Sequence, residues 1–278
     1  MSGVVEQVSQ EIVQAIKGDS LVLPTLPEVA LSVRDVAEDP ESDLDDLGKE
    51  ISNDPALSAR IVKVSNSPLF RTSKEITDLK MALMRLGMAY TANIATGLAM
   101  EQMFQATSSI VDRRMRESWQ RSSEIAGICH VLCRHRTSLH PDQATLGGLI
   151  HQIGVLPILT FAEEHPVLLK DSFSLDSVIK KLHPAIGTAI LKKWDFPKEL
   201  QKVPINHLKY DRDNPSADYA DIVTVAMLQS DMAKETGRDD IDYRQVKAFG
   251  RLGLEADSHI NSSDLSEDME AAYEMLAH

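Results

Sequence analysis

The 278-residue chain has few cysteines, few strand signals, few aromatics and a shortage of positive charge. Two cysteines cannot make a disulfide framework. Cys129 and Cys133 lie four apart, on one face of a predicted helix. Two buried thiols in a reducing compartment are the plainer reading, and a redox or metal pair is the alternative. Period-two alternation of β-branched and aromatic residues hardly occurs, and there is no Asn-Gly or Asp-Gly hairpin turn, which excludes a β-rich fold. Lysine and arginine number 29 against 42 acidic side chains, a formal charge of −13. A nucleic-acid binder that works by neutralising phosphates displays a basic face, so the balance argues against one, and against docking on anionic lipid. The acid is uneven. Residues 211–278 carry 16 acidic and 6 basic side chains, so the first 210 are near neutral and leave room for a local basic patch.

The amino terminus lacks the basic and apolar regions of a secretion signal. The most apolar segment, Leu146–Ala162, is interrupted by His151, Gln152 and Pro157 and is too short and polar to span a bilayer. These readings predict a cytoplasmic protein. Several catalytic signatures are missing as well. Gly147-Gly148 matches neither the dinucleotide fingerprint nor the Walker loop, and there is no nucleophile elbow, no His-Glu-x-x-His and no Cys-x-x-Cys.

What is present is helical periodicity from end to end. Leu26, Val29, Ala30, Val33 and Val36 follow i, i+3, i+4 spacing. Asp43 is placed to cap a short helix carrying Leu44, Leu47 and Ile51; Asn53 or Asp54 caps the next, and Ser65-Asn66-Ser67-Pro68 stops it. Further helices are predicted at about Asp78–Leu86, Met88–Phe104, Val111–Arg136, Ala144–Ala162, Ser174–Lys181, Ala185–Lys193, Lys198–His207 and Ala217–Glu235. The fold class is all-α and two-lobed. A polar seam at Gln105–Ile110 divides a lobe at 19–105 from one at 106–235, flanked by a helical extension at 1–18 and an acidic one at 236–278. Tyr210–Asp218 reads as an exposed loop.

Of nine histidines, His130, His135 and His140 come five apart and drift around a helix without converging. His151, His183 and His207 sit in more distinctive settings. Leu23-Pro24 with Leu26-Pro27, Asn53-Asp54-Pro55-Ala56-Leu57, Val64-Ser65-Asn66-Ser67, Ala82 to Leu86-Gly87, Trp119 with Ser122, Gly148-Leu149-Ile150-His151-Gln152-Ile153-Gly154, and His183 through Gly187 to Trp194 and Phe196-Pro197 form one ordered set over about residues 20–235. In these motifs the sequence resembles the HD-related output domain family (HDOD), bacterial signalling relatives of the HD phosphohydrolases.

The resemblance implies a fold whose catalytic cousins hold metal through an early His, a His-Asp doublet and a distant Asp. Position by position, the early His falls at Arg121, the doublet at His151-Gln152 and the distant Asp at Met227. One ligand of four remains. An arginine about 4 Å from a dication is repelled by roughly 8 kcal/mol at an effective dielectric of about 20. The amide and the thioether supply no charge for a hard cation. The expectation is therefore no catalytic residue, no metal and no cofactor, and a stand-alone signalling module that acts through a protein partner or an interlobe pocket for a nucleotide-like ligand. Asn66, His151, His183, Trp194 and His207 are the candidate pocket or interface residues. Each has a structural reading beside it: His151 as a bonded core residue, His183 before Pro184 as a helix cap, His207 at a helix end, Asn66 as a helix stop and Trp194 as a core anchor. The alternative is a metal-dependent phosphohydrolase acting on a nucleotide or cyclic dinucleotide, with His151, His183, His207 and a carboxylate such as Asp218 or Asp221 as ligands.

Overall fold

Aspartate and asparagine side chains set several helix boundaries in the first half of the chain. In the computed structural model, which describes residues 2–18, 20–70, 74–230, 241–255 and 266–276, α1 (Ser2–Lys17) is followed by α2 (Glu28–Glu38), α3 (Leu44–Ser52) and α4 (Pro55–Ser65). The Asp43 carboxylate accepts from Asp45 and Asp46 at the start of α3 in a full capping box. Asp54 does the same for Ala56 and Leu57, with Pro55 in the first turn of α4. Asn66 ends α4: its amide donates to Val62 O (3.1 Å) and Ile76 O (2.7 Å), and its carbonyl accepts from Ile76 N at 2.8 Å. Next come α5 (Leu79–Leu86), capped by Asp78, and α6 (Met88–Ala99), separated by Gly87 at φ 78°, a value that favours glycine. No strand occurs among the described residues.

The second half is built on α7 (Ser109–Arg136), followed by α8 (Pro141–Ile150), α9 (Val155–Glu163), α10 (Pro166–Lys170) and α11 (Ser172–Lys193). Short turns α12 (Lys198–Gln201) and α13 (Val203–Asn206) lead to α14 (Tyr219–Gln229), then α15 (Lys247–Arg251) and α16 (Ser266–Leu276). Two expectations are corrected here. The helix predicted over Ala144–Ala162 breaks at His151–Gly154, where His151 Nδ1 bonds Gly148 O at 2.6 Å and the backbone turns twice before α9. The predicted stop at His183-Pro184 is absent, so His183 caps nothing: α11 runs through Pro184. Proline inside a helix costs about 3 kcal/mol. Burial of Leu182, His183, Pro184, Ile186 and Gly187 in this stretch offsets that cost. The predicted helix over Ala217–Glu235 is present as α14 to Gln229; residues 231–240 lie outside the described set.

Helix α2 packs on α6, α6 on α8, and α8 along α7; α14 and α16 cover other faces of α7, and α1 lies on α11. Residues 105–108, within the polar run, form a non-helical link before α7. Buried apolar side chains nevertheless form one continuous cluster from Ile12 to Leu276. Arg34 of α2 ties the front of the chain to the end of α11, donating to Trp194 O (2.8 Å) and Asp195 O (2.9 Å) and lying 4.7 Å above the Phe196 ring. One described stretch, Pro141–Glu163, is long and apolar enough to cross a membrane, and 89% of its apolar window is buried inside the fold.

Candidate functional site

Spacing along α7 prepares the site. Val111, Met115, Trp119, Ile125 and Ala126 turn inward, with Trp119 against Phe104 at 5.2 Å between rings. That leaves Arg114, Ser118 and Arg121, at i, i+4 and i+7, on an adjacent face. They form one wall of a cavity of about 780 Å³. Asp176, Ile179, Lys180 and His183 of α11 form the facing wall, Gln152, Val155 and Leu159 the floor, and His207, Leu208 and Tyr210 the far end. Two glycines bring these backbones together. A Cβ on Gly148 would lie 2.4 Å from Ala126 Cα of α7, and one on Gly154 would lie 2.1 Å from His183 O of α11. Only a hydrogen fits at either place, so the turn carrying His151 and Gln152 is wedged between the two walls.

Three imidazoles cluster at the His207 end. The His151 and His207 rings meet edge to face at 5.2 Å, and His183 lies 5.4 Å from His207. All three are buried. His151 Nδ1 donates to Gly148 O and His207 Nδ1 to Pro204 O (2.8 Å), so both rings are oriented by helix-end carbonyls. The Thr224 hydroxyl lies 2.8 Å from His207 O and ties α14 to the cluster.

The donors present do not fit a divalent cation. Among the described residues no three His, Cys, Asp or Glu side chains are placed to hold a metal. The carboxylates considered for that role are engaged elsewhere: Asp221, 1% exposed, bonds Arg251 through both oxygens (2.6 and 2.8 Å) and also bonds Arg212. Asp218 receives both terminal nitrogens of Arg212 at 2.7 Å while capping α14. Burial works to raise the Asp218 pKa, and the Arg212 hydrogen bonds outweigh it, so the carboxyl sits below its ordinary range. Asp218 and Asp221, the carboxylates named beside the three histidines as alternative ligands, are thus held by guanidinium groups.

Of the predicted site residues, Arg121, Gln152, His183 and His207 line the cavity, and His151 lies behind them against His207. Met227 is buried in α14 and does not line it; from α14 the Thr224 hydroxyl donates to the His207 backbone carbonyl. Asn66 and Trp194 sit elsewhere, Asn66 pinning the loop to Ile76 and Trp194 donating its indole N–H to Pro24 O at 3.0 Å. Sequence reasoning passed over Arg114, Ser118 and Lys180, although their helical spacing from Arg121 and His183 was readable. Cys129 and Cys133 are buried free thiols, with burial pushing both pKa values up. His130, His135 and His140 do not converge: His130 contacts Tyr90 and Thr145, His135 pairs with Asp268 at 2.9 Å, and His140 precedes α8.

The HDOD domain profile matches residues 23–210. The chain belongs to the HDOD domain family. A crystal structure from Shewanella amazonensis SB2B, of a protein named as a candidate metal-dependent phosphohydrolase, is similar at 31% identity with a TM-score of 0.87, covering all of both chains. A candidate signal transduction protein from Marinobacter aquaeolei VT8 shares the fold at 21% identity and a TM-score of 0.62, covering 94% of this HDOD chain and 61% of its own. An uncharacterised protein from Treponema pallidum is 23% identical over 268 residues; the HDOD chain here spans 50% of that relative's length.

Proposed function

We propose that this HDOD protein is a non-catalytic bacterial regulatory module of signal transduction, working in the cytoplasm through a protein partner or through a ligand held in the α7–α11 cavity. The observation that carries the reading is the pair at the cavity wall and floor. Arg121 and Gln152 line the cavity; the resemblance sets them at the positions of an HD histidine and aspartate, and there they offer a positive charge and a neutral amide in place of two metal donors. Ser118 donates to Gln152 Oε1 at 3.2 Å, which orders the amide. The name of the Marinobacter aquaeolei neighbour fits the signalling reading. The acidic carboxyl-terminal quarter suits a partner with a basic face, since complementary charge speeds encounter and fixes orientation.

The test is metal analysis of chelator-free protein together with turnover of bis(p-nitrophenyl) phosphate in Mn2+, Fe2+ and Zn2+. The expected result is substoichiometric metal and no chelator-sensitive hydrolysis. Arg121→His combined with Gln152→Asp is expected to stay inert, because the carboxylates near α14 are held by arginines. A second reading, a metal-dependent phosphohydrolase, draws on the name of the Shewanella amazonensis relative and on the three clustered imidazoles. Stoichiometric metal with chelator-sensitive turnover would establish it.

A further inference from the structure

We infer that the α7–α11 cavity binds a phosphate-bearing small molecule of nucleotide size directly, without metal, with Arg121 as its counter-charge. The inference rests on the non-catalytic reading and names the ligand class that reading leaves open.

The charge balance of the walls is the first argument. Four cationic side chains, Arg113, Arg114, Arg121 and Lys180, face two anionic ones, Glu117 and Asp176. Both carboxylates are already paired, Glu117 with Arg113 at 3.9 Å and Asp176 with Arg114 at 2.6 Å across the cavity mouth. Arg121 and Lys180 have no ion pair among the described residues, and Arg121 Nε is buried without a hydrogen-bond partner. Arg121 lines the cavity, and its desolvated Nε–H is an unsatisfied donor. In a protein of net charge −13, this is a local concentration of positive charge.

Hydrogen-bond polarity is the second argument. The Gln152 carbonyl is taken by Ser118, which leaves its NH2 group as the part free to bond. Arg121 and Lys180 are donors only, and Gln152 adds its NH2 group to them. Such a set selects an oxyanion and rejects a cation, and a planar guanidinium matches phosphate geometry. Size and lining supply the rest of the class. A volume of about 780 Å³ exceeds a bare phosphate several-fold, and Val155, Leu159 and Ile179 offer an apolar surface to the uncharged part of the ligand. The cation of the catalytic cousins and the anion proposed here would occupy the same region with opposite charge.

The test is calorimetric titration of the full chain with adenosine 5′-monophosphate and with inorganic pyrophosphate in EDTA buffer. Saturable binding of at least one probe is expected, weakening as salt rises. Arg121→Gln should weaken it at least tenfold and Arg121→Lys less. Lys180→Gln, at an exposed position, should weaken it several-fold and keeps the test decisive if Arg121→Gln does not fold. Absence of binding by both probes at millimolar concentration, binding that needs added metal, or affinity unchanged in both the Arg121→Gln and Lys180→Gln proteins would overturn the inference. Metal-dependent turnover would instead overturn the non-catalytic reading, so the two failures are separable.

Discussion

At the scale of single residues, buried polar groups carry the consequences most open to measurement. His130 is 4% exposed, and burial, reinforced by the nearby Arg134 charge, lowers its pKa from 6.5 to about 4. In the unfolded chain the same imidazole takes up a proton near pH 6.5. Between these values the unfolded state binds more protons, so stability is full above pH 6.5 and falls as the pH drops towards 4. The loss is on the order of 3 kcal/mol. Urea melts across pH 4–7 should show this slope, and a His130→Gln protein should show it flattened; a parallel decline in both would locate the acid sensitivity elsewhere. This setting was not legible in the spacing, because what desolvates His130 is Phe70 and Tyr90, which lie far away in the chain. Asn66 shows the opposite case. The helix stop was readable from Ser-Asn-Ser-Pro, and the structure adds the bonds to Ile76 that no local pattern announces.

At the scale of elements, prediction failed where tertiary contact overrides local preference. Pro184 signals a helix end, yet α11 continues because both sides of the proline are packed. The apolar run from Ala144 signals one helix, yet the chain breaks at His151 because Gly154 must lie on the α11 backbone. The same contact yields a test. In Gly154→Ala the new methyl meets the His183 carbonyl and the Gly187 amide, both backbone atoms that cannot rotate away. Overpacking of this kind costs about 1–3 kcal/mol. Thermal melts should show a clear drop in Tm for this variant. Gly250→Ala, with nothing within 4 Å of its Cβ, should melt at the wild-type temperature or slightly above. Equal melting of the two proteins would refute the wedged turn. Residues that meet across elements were the hardest to foresee: Arg251 reaches Asp221 over 30 positions, and nothing in the intervening sequence marks the pair.

At the scale of the whole molecule, the helical class and the motif order were readable. The extent of the folding unit was not. The family match stops at residue 210, whereas α14, α15 and α16 beyond it, and Ile12 of α1 before it, all contribute buried side chains to the common core. A fragment of residues 23–210 is expected to lack a cooperative thermal transition and to elute as aggregate on gel filtration. A sharp melt at the full-length temperature would disprove the shared core.

Gly127 of α7 and Ala272 of α16 touch so closely that a Cβ on the glycine would lie 2.4 Å from the Ala272 carbonyl oxygen. Anyone splicing this domain into a sensor or tethering it to a reporter should place both joints outside the stretch from Ile12 to Leu276. A cut at the recognised motif boundary would deliver the signature without the scaffold that keeps it in shape.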